Sequence, residues 1–340
     1  MKIIEVSGNP REIGRCTGEA LRLEIQAHLE MFPLNSDRTN WEHRLPAFLE
    51  ALRRYLPNVL DEMEGTAEGA DIPLDDILRL NIPMYANELD LEACTNIAFA
   101  GGPDGSIWGK NNDGLATDKR RPACARLVRR DDGIPVLIFT FCGMVATTDG
   151  MNAEGLAVGH SSVGSIFQQS DHHVPIRLWA YEVMMHSRTT ADFVRQMASL
   201  PMRGKGYSIL CVDRYGTMCS IEAPCPLMQV RRAETEQRYM NCVNYYQLPN
   251  LANADRRSEI GKQNAKARRQ LLEQKLSEKI DFSLEDMKEI LLYHGDPSIC
   301  RHGDEDGSYT EYSMIGLPQS NRALFLDGCP CENEFSEVTI

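Results

Sequence analysis

The sequence predicts a layered α+β fold, and three features of its patterning carry that expectation. The first ninety residues place apolar side chains at helical spacing. At Cys94 the texture changes to short apolar or alternating runs separated by turns. Helices and strands then return in blocks rather than in regular alternation, which fits layered packing better than a βαβ repeat.

In chain order, Met1 to Gly8 is strand-like. From Pro10 to Met31, Ile13, Leu21, Leu23, Ile25 and Leu29 form a near-helical stripe with Glu and Arg between them. A second amphipathic helix is expected from Trp41 to Leu56, stopping before Pro57. Pro57 then opens a third, which Gly65, Gly69 and the turn Ala70–Pro73 are expected to end. Leu74 to Asn87 reads as a fourth. Strands are expected over Asn96–Ala100, Ser106–Lys110, Ala125–Arg130, Pro135–Phe141 and Gly155–Gly159. Helices at Pro175–His186 and Ala191–Leu200 follow. Strands resume at Tyr207–Asp213, Met218–Ala223, Met228–Arg232 and Tyr239–Val243. Asn253 to Ile280 reads as a long, charged, mostly surface helix and Ser283–Tyr293 as a shorter one. Tyr312–Leu317 and Ala323–Leu326 close the chain as a strand pair.

Composition limits the partners. The 340 residues carry a formal charge of −13, with 42% hydrophobic and 25% charged side chains. Such an excess of carboxylates argues against nucleic acid or an anionic membrane surface as a partner. The longest apolar run, Ile134 to Ala146, is too short to cross a bilayer as a helix. No basic and then apolar leader stands at the N-terminus. The eleven cysteines are odd in number, and several lie inside apolar strands. They read as reduced, buried side chains, so a cytoplasmic chain is expected.

The chemistry gathers around Cys94. Alone, a cysteine at a strand start is most simply a packing residue. Soon after it comes Gly109-Lys110-Asn111-Asn112-Asp113-Gly114, which crowds a cation, two amides and a carboxylate at a strand end. That composition suits a polar pocket better than a core.

These residues belong to a longer series. Pro10-Arg11-Glu12-Ile13-Gly14 with Gly18, and Glu64-Gly65-Thr66-Ala67-Glu68-Gly69-Ala70 with Asp75-Asp76-Ile77-Leu78 and Asn81, precede Cys94-Thr95. Gly109-x-Asn111-x-Asp113, Gly150-Met151-Asn152-x-x-Gly155-Leu156, Val243-Asn244-Tyr245-Tyr246, Ser298-Ile299-Cys300-Arg301 and Gly328-Cys329-Pro330-Cys331 follow it. In this order and spacing they resemble the acyl-coenzyme A:6-aminopenicillanic-acid (isopenicillin N) acyltransferase-like family of the N-terminal-nucleophile hydrolases.

The resemblance implies a four-layer αββα sandwich with two antiparallel sheets, forming one compact unit. It implies a precursor cut between Ala93 and Cys94 into a helical segment, 1–93, and a catalytic segment, 94–340. Cys94 would be the thiol nucleophile, and its freed α-amine would act as base. Such an amine titrates near ~7.7–8.0 and needs no histidine. Asp113 would hold that amine, and Asn244 would donate to the oxyanion. Asn111 would give structural support. Ser162 stands where bile-salt relatives carry a second oxyanion donor. Lys110 would either lower the thiol pKa or point to solvent. Arg301 would hold a substrate carboxylate or pair at the surface with Asp304, Glu305 and Asp306. Asn112 replaces a bulky residue of the family, and Tyr245 replaces the histidine after Asn244. The substrate implied is a small acyl amide or acyl thioester, with hydrolysis favoured over acyl transfer, and self-association is left open.

Other readings compete. Cys300-x-His302, Cys329-x-Cys331 and His172-His173 offer soft metal ligands. Structural zinc prefers paired Cys-x₂₋₄-Cys knuckles and no two are present, so neither a metal nor a cofactor is expected. A Cys/His hydrolase using His160, active without cleavage, is a further alternative, and a non-catalytic binding member of the fold is another.

Overall fold

A computed structural model describes residues 1–31, 38–82, 93–115, 121–303 and 307–340. Strand β1 (Lys2–Gly8) leads into helices α1 (Pro10–Ala20), α2 (Arg22–Met31), α3 (Arg38–Tyr55), α4 (Pro57–Ala70) and α5 (Leu74–Asn81). Strands β2 (Thr95–Gly102), β3 (Gly105–Leu115), β4 (Ala123–Arg130), β5 (Val136–Phe141), β6 (Gly150–Asn152) and β7 (Leu156–Ser162) follow. A short pair, β8 (Val174–Pro175) and β9 (Met202–Arg203), brackets α6 (Ile176–Met184) and α7 (Thr190–Met197). Then come β10 (Tyr207–Asp213), β11 (Met218–Ala223), β12 (Gln229–Arg232) and β13 (Tyr239–Cys242). Helices α8 (Glu259–Leu276) and α9 (Leu284–Leu292) precede β14 (Ser308–Leu317), β15 (Arg322–Asp327) and β16 (Ser336–Thr339).

The strands form an eight-stranded sheet, ordered β1-β4-β5-β6-β7-β10-β11-β12, and a six-stranded sheet, ordered β13-β2-β3-β14-β15-β16. The sheets pack face to face through β10 against β2, β3 and β13. Helices α1 and α7 cover the outer face of the larger sheet, while α8 and α9 cover that of the smaller. This is the four-layer αββα arrangement. One departure from antiparallel pairing is β1, which runs parallel to β4. No hairpin joins those two strands, so nothing local imposes antiparallel pairing.

Three apolar cores fill the spaces between the layers, and strand alternation distributes side chains among them. In β5, Val136 and Ile138 face the helices of the first layer, whereas Leu137, Phe139 and Phe141 lie between the sheets. In β2, Ala98 points between the sheets, and Ile97 and Phe99 pack under α8 and α9.

The helical lead-in differs from the sequence expectation in two places. The stripe from Pro10 to Met31 breaks at Leu21, which ends α1 before α2 begins. Gly65 and Gly69 do not end a helix; α4 runs through both to Ala70 and closes on Asp71 at φ 58°. Their role is contact. A Cβ on Gly65 or Gly69 would lie 2.1 or 2.0 Å from a backbone oxygen of α1, and one on Gly14 or Gly18 would lie 2.0 or 2.3 Å from α4. The four glycines let the two helix backbones touch. The described part of α5 ends at Asn81, and the rest of the helix expected to Asn87 lies outside the described residues.

Ion pairing also ties this lead-in to the sheets. Arg126 on β4 and Glu62 on α4 form a fully buried ion pair, and the Tyr181 hydroxyl donates to Glu62 at 3.0 Å. None of the eleven cysteines forms a disulfide. Among the described residues no helix is long and apolar enough to cross a membrane.

Candidate active site

Cys94 lies directly before β2, with Ala93 ahead of it, and both are buried. The thiol faces β3: Sγ donates toward Asn112 Oδ1 at 3.7 Å and toward the Asp113 carbonyl at 3.8 Å. The Cys94 carbonyl accepts from Arg268 Nη1 at 2.9 Å and from Ser161 Oγ at 3.3 Å.

Alternation along β3 sorts the polar run that the sequence singled out. Asn111 and Asp113 face the α8/α9 side. Asn111 Nδ2 donates to the carbonyls of Leu291 and Ile299 at 2.9 and 3.0 Å, which ties the end of α9 and the loop before Arg301 to the sheet. Asp113 is completely buried. Its Oδ1 accepts from Thr310 Oγ1 at 2.8 Å, and its Oδ2 has no hydrogen-bond partner among the described residues. Burial drives its carboxyl up to about 7, against the pull of Arg301, Arg268, Thr310 and Lys110.

Lys110 and Asn112 point the other way. Lys110 does not reach solvent; it is fully buried, with Nζ 2.6 Å from Asp149 Oδ2 and 3.4 Å from His160 Nδ1. His160 Nδ1 is itself 3.1 Å from Asp149 Oδ1. Burial alone would raise the Asp149 carboxyl, but Lys110 and His160 overcome it and hold the group well below the usual carboxylate range. Asn112 Nδ2 donates to Glu311, whose two oxygens accept from Arg121 at 2.8 and 2.6 Å.

Asn244, just past β13, comes in from the far edge of the same sheet. Its Oδ1 accepts from Arg268 Nη2 at 2.9 Å and its Nδ2 donates to the Ser162 carbonyl at 2.9 Å. Arg257 Nη1 donates to the Asn244 carbonyl at 2.6 Å. Ser162 therefore meets Asn244 through its backbone, while the neighbouring hydroxyl, Ser161 Oγ, reaches the Cys94 carbonyl. Arg301 is fully buried rather than at the surface, with Nη1 3.1 Å from Asn264 Oδ1. Asp304, Glu305 and Asp306 lie outside the described residues.

The sequence reading missed Arg268. Its guanidinium bridges Cys94, Thr95 Oγ1, Asn244 and Asn264 Oδ1, all within 2.8–2.9 Å. Burial, and then the like charge of Arg301, push it down to about 9. A signal was present in α8, whose buried residues are Gly261, Ala265, Arg268, Leu272 and Leu276. At that spacing Arg268 occupies a slot in the inward-facing stripe, where an unpartnered arginine would be costly.

The family model described as acyl-coenzyme A:6-aminopenicillanic acid acyl-transferase matches residues 100–311, well over half of the chain. The chain belongs to that family. The matched stretch of this acyl-transferase family member takes in Asp113, Asn244, Arg268 and Arg301 and begins just after Cys94. No curated protein matches the sequence. Among solved structures, it is similar to the Caenorhabditis elegans ortholog of N-acylethanolamine-hydrolyzing acid amidase, at 14% identity and TM-score 0.47. That match covers 66% of this chain and 93% of the other. A variant of the conjugated bile acid hydrolase from Clostridium perfringens matches at 12% identity and TM-score 0.47, over 73% and 92% of the two chains. Penicillin V acylase from Agrobacterium tumefaciens matches at 11% and 0.45, over 69% and 83%.

Proposed function

We propose that this family member is a self-processing thiol amidohydrolase acting on small N-acyl amines or acyl thioesters through an acyl-enzyme at Cys94. The observation that carries the reading is the buried Asp113 carboxyl. One of its oxygens has no hydrogen-bond partner among the described residues, burial pushes it up to about 7, and the backbone carbonyl of the same residue lies 3.8 Å from the Cys94 thiol.

In the precursor, Cys94 Sγ attacks the Ala93 carbonyl carbon and the thiol proton passes to the departing Cys94 nitrogen. The Ala93–Cys94 C–N bond breaks, leaving Ala93 as a thioester on Sγ. Water opens that thioester, giving an Ala93 carboxylate, a free thiol and a Cys94 α-amine. The new amine finds its counter-charge in Asp113. The positive charge of Arg268 and Arg301 around that carboxylate opposes full protonation of the amine, so it can serve as base near neutral pH.

With substrate bound, the amine takes the thiol proton as Sγ attacks the acyl carbon. Asn244 holds one amide proton on the Ser162 carbonyl and presents the other to the oxyanion. The protonated amine then returns its proton to the leaving nitrogen. Water resolves the thioester to an acid. Transfer to a second amine would need a seat that excludes water.

Residues 1–93 stay docked after cleavage in this reading, because the buried Arg126–Glu62 pair and the touching helices α1 and α4 hold them to the larger sheet. The test is a panel of acyl amides and thioesters scored for acid release, with denaturing mass spectrometry of quenched reactions. The reading expects an acyl adduct on a fragment beginning at Cys94. Turnover with the adduct elsewhere, or turnover by Cys94→Ala, would overturn it.

A further inference from the structure

We propose that Cys300, His302, Cys329 and Cys331 form a zinc site that pins the C-terminal segment to the back of the candidate active site. None of the four takes part in the chemistry above. Three of the ligand atoms lie together: Cys300 Sγ is 3.4 Å from His302 Nε2 and 3.5 Å from Cys331 Sγ, and His302 Nε2 is 3.0 Å from Cys331 Sγ. The Cys329 sulfur lies within 4.8 Å of both Cys300 Sγ and a His302 ring nitrogen. A tetrahedral ion with Zn–S near 2.3 Å and Zn–N near 2.0–2.1 Å separates its ligand atoms by about 3.8 Å (S to S) and about 3.6 Å (S to N). The three separations, 3.0 to 3.5 Å, fall short of these distances by about 0.6 Å at most, so small side-chain shifts would admit the ion.

Ligand chemistry selects the metal. Three thiols and one imidazole are a soft, closed set of the kind that holds structural zinc. On binding, the three thiols would each release a proton to solvent. A disulfide would consume two sulfurs and leave a third beside them. The other His302 nitrogen, Nδ1, is 3.5 Å from Glu332 Oε1, so a carboxylate backs the imidazole and fixes Nε2 as the nitrogen facing the sulfurs. Cys300 and Cys329 are fully buried, whereas His302 is exposed and Cys331 partly so, which leaves a path for the ion.

Both half-sites have one residue between the ligands, too short for a zinc knuckle, which is why the sequence reading named the two pairs and still expected no metal. The chain supplies the geometry another way. His302 forms an isolated antiparallel bridge with Tyr309; Cys300 Sγ and His302 Nε2 meet there, while Arg301 between them reaches Asn264. The Arg301 carbonyl accepts from the Thr310 N–H at 3.0 Å, and the Arg301 N–H donates to Thr310 Oγ1 at 2.9 Å, the hydroxyl that also binds Asp113. An ion at these four ligands would fix the backbone carrying Arg301 and Thr310.

The experiment uses the full chain, purified without chelator and desalted, with metals counted by plasma mass spectrometry. The expected result is about one zinc per chain, falling below about a tenth in Cys300→Ser/Cys329→Ser. A second variant, His302→Ala/Cys331→Ser, changes the exposed end and should lose the ion even if the buried double variant does not fold. Cobalt exchanged into the site should show the intense visible bands of a tetrahedral thiolate complex. Protein that stays metal-free after zinc addition and desalting, or that carries stoichiometric iron, overturns the assignment. So does a disulfide between any two of these three cysteines. The readouts are independent of turnover, so the site stands or falls separately from the role of Cys94.

Discussion

Arg268→Met is the sharpest perturbation of the site. Methionine keeps an apolar stem in the α8 stripe and deletes a guanidinium that makes four hydrogen bonds of 2.8–2.9 Å. The Cys94 carbonyl keeps Ser161 and the Thr95 hydroxyl can turn, but Asn244 Oδ1 loses the donor shown for it. Orphaning one buried acceptor costs about 1–3 kcal/mol, partly offset because a buried charge is no longer desolvated. The larger effect falls on rate. Asn244, no longer held on that side, delivers its amide less well, and losing one oxyanion donor costs about 2.7–4 kcal/mol, or about 10²–10³ in kcat. Asp113 also loses one of the charges holding it down, so the acid limb of kcat/KM should move to higher pH. Arg268→Lys keeps the charge without the fork, and should restore the limb while leaving kcat low. The assay is a pH series of kcat/KM beside thermal unfolding. A folded Arg268→Met enzyme with kcat within about twofold of wild type and an unmoved acid limb would refute the positioning role.

Three further outcomes follow from the same geometry. In the Cys94→Ala precursor, Asp113 titrates near 7 folded and near 3.8 unfolded, so between about pH 4 and pH 7 the folded state binds the extra proton. Stability should therefore fall as pH rises through that window, by up to about 4 kcal/mol, and adding Asp113→Asn should remove this part of the slope in urea titrations. Arg126→Met leaves the buried Glu62 without its counter-ion, with the Tyr181 hydroxyl still donating to it, and should cost about 3–5 kcal/mol in denaturant unfolding, a loss that Glu62→Leu on top should largely recover. Gly14→Ala forces a Cβ to 2.0 Å from the Glu62 carbonyl, so α1 and α4 must part. It should destabilise by more than the ordinary ~1–3 kcal/mol of an overpacked core, read from the urea midpoint.

What the sequence made legible follows from how local each signal is. Tyr207–Asp213 and Met218–Ala223 were readable because an apolar run and the turn that ends it lie within a few residues, and both strands fall where expected. Strand β16 went unread because Ser336–Thr339 pairs at a sheet edge with mostly exposed side chains and shows no apolar alternation. Gly65 and Gly69 looked like breakers because glycine weakens an isolated helix. Their purpose appears only when α1 is laid across α4. Arg268 was concealed by the charged surface of α8. Which serine hydroxyl reaches Cys94 depends on which face of β7 meets β2, a matter of sheet packing. The sulfur cluster is less local still: its two halves are far apart in the chain and meet only when β14 and the C-terminal segment pack together.

The most direct test of the account is the covalent state of the active protein. Intact mass under denaturing conditions, with N-terminal sequencing of the same sample, should find two fragments, one ending at Ala93 and one beginning with Cys94. Cys94→Ala should remain a single chain without turnover. A fully active wild-type protein that gives one unbroken mass and only the Met1 terminus would contradict it.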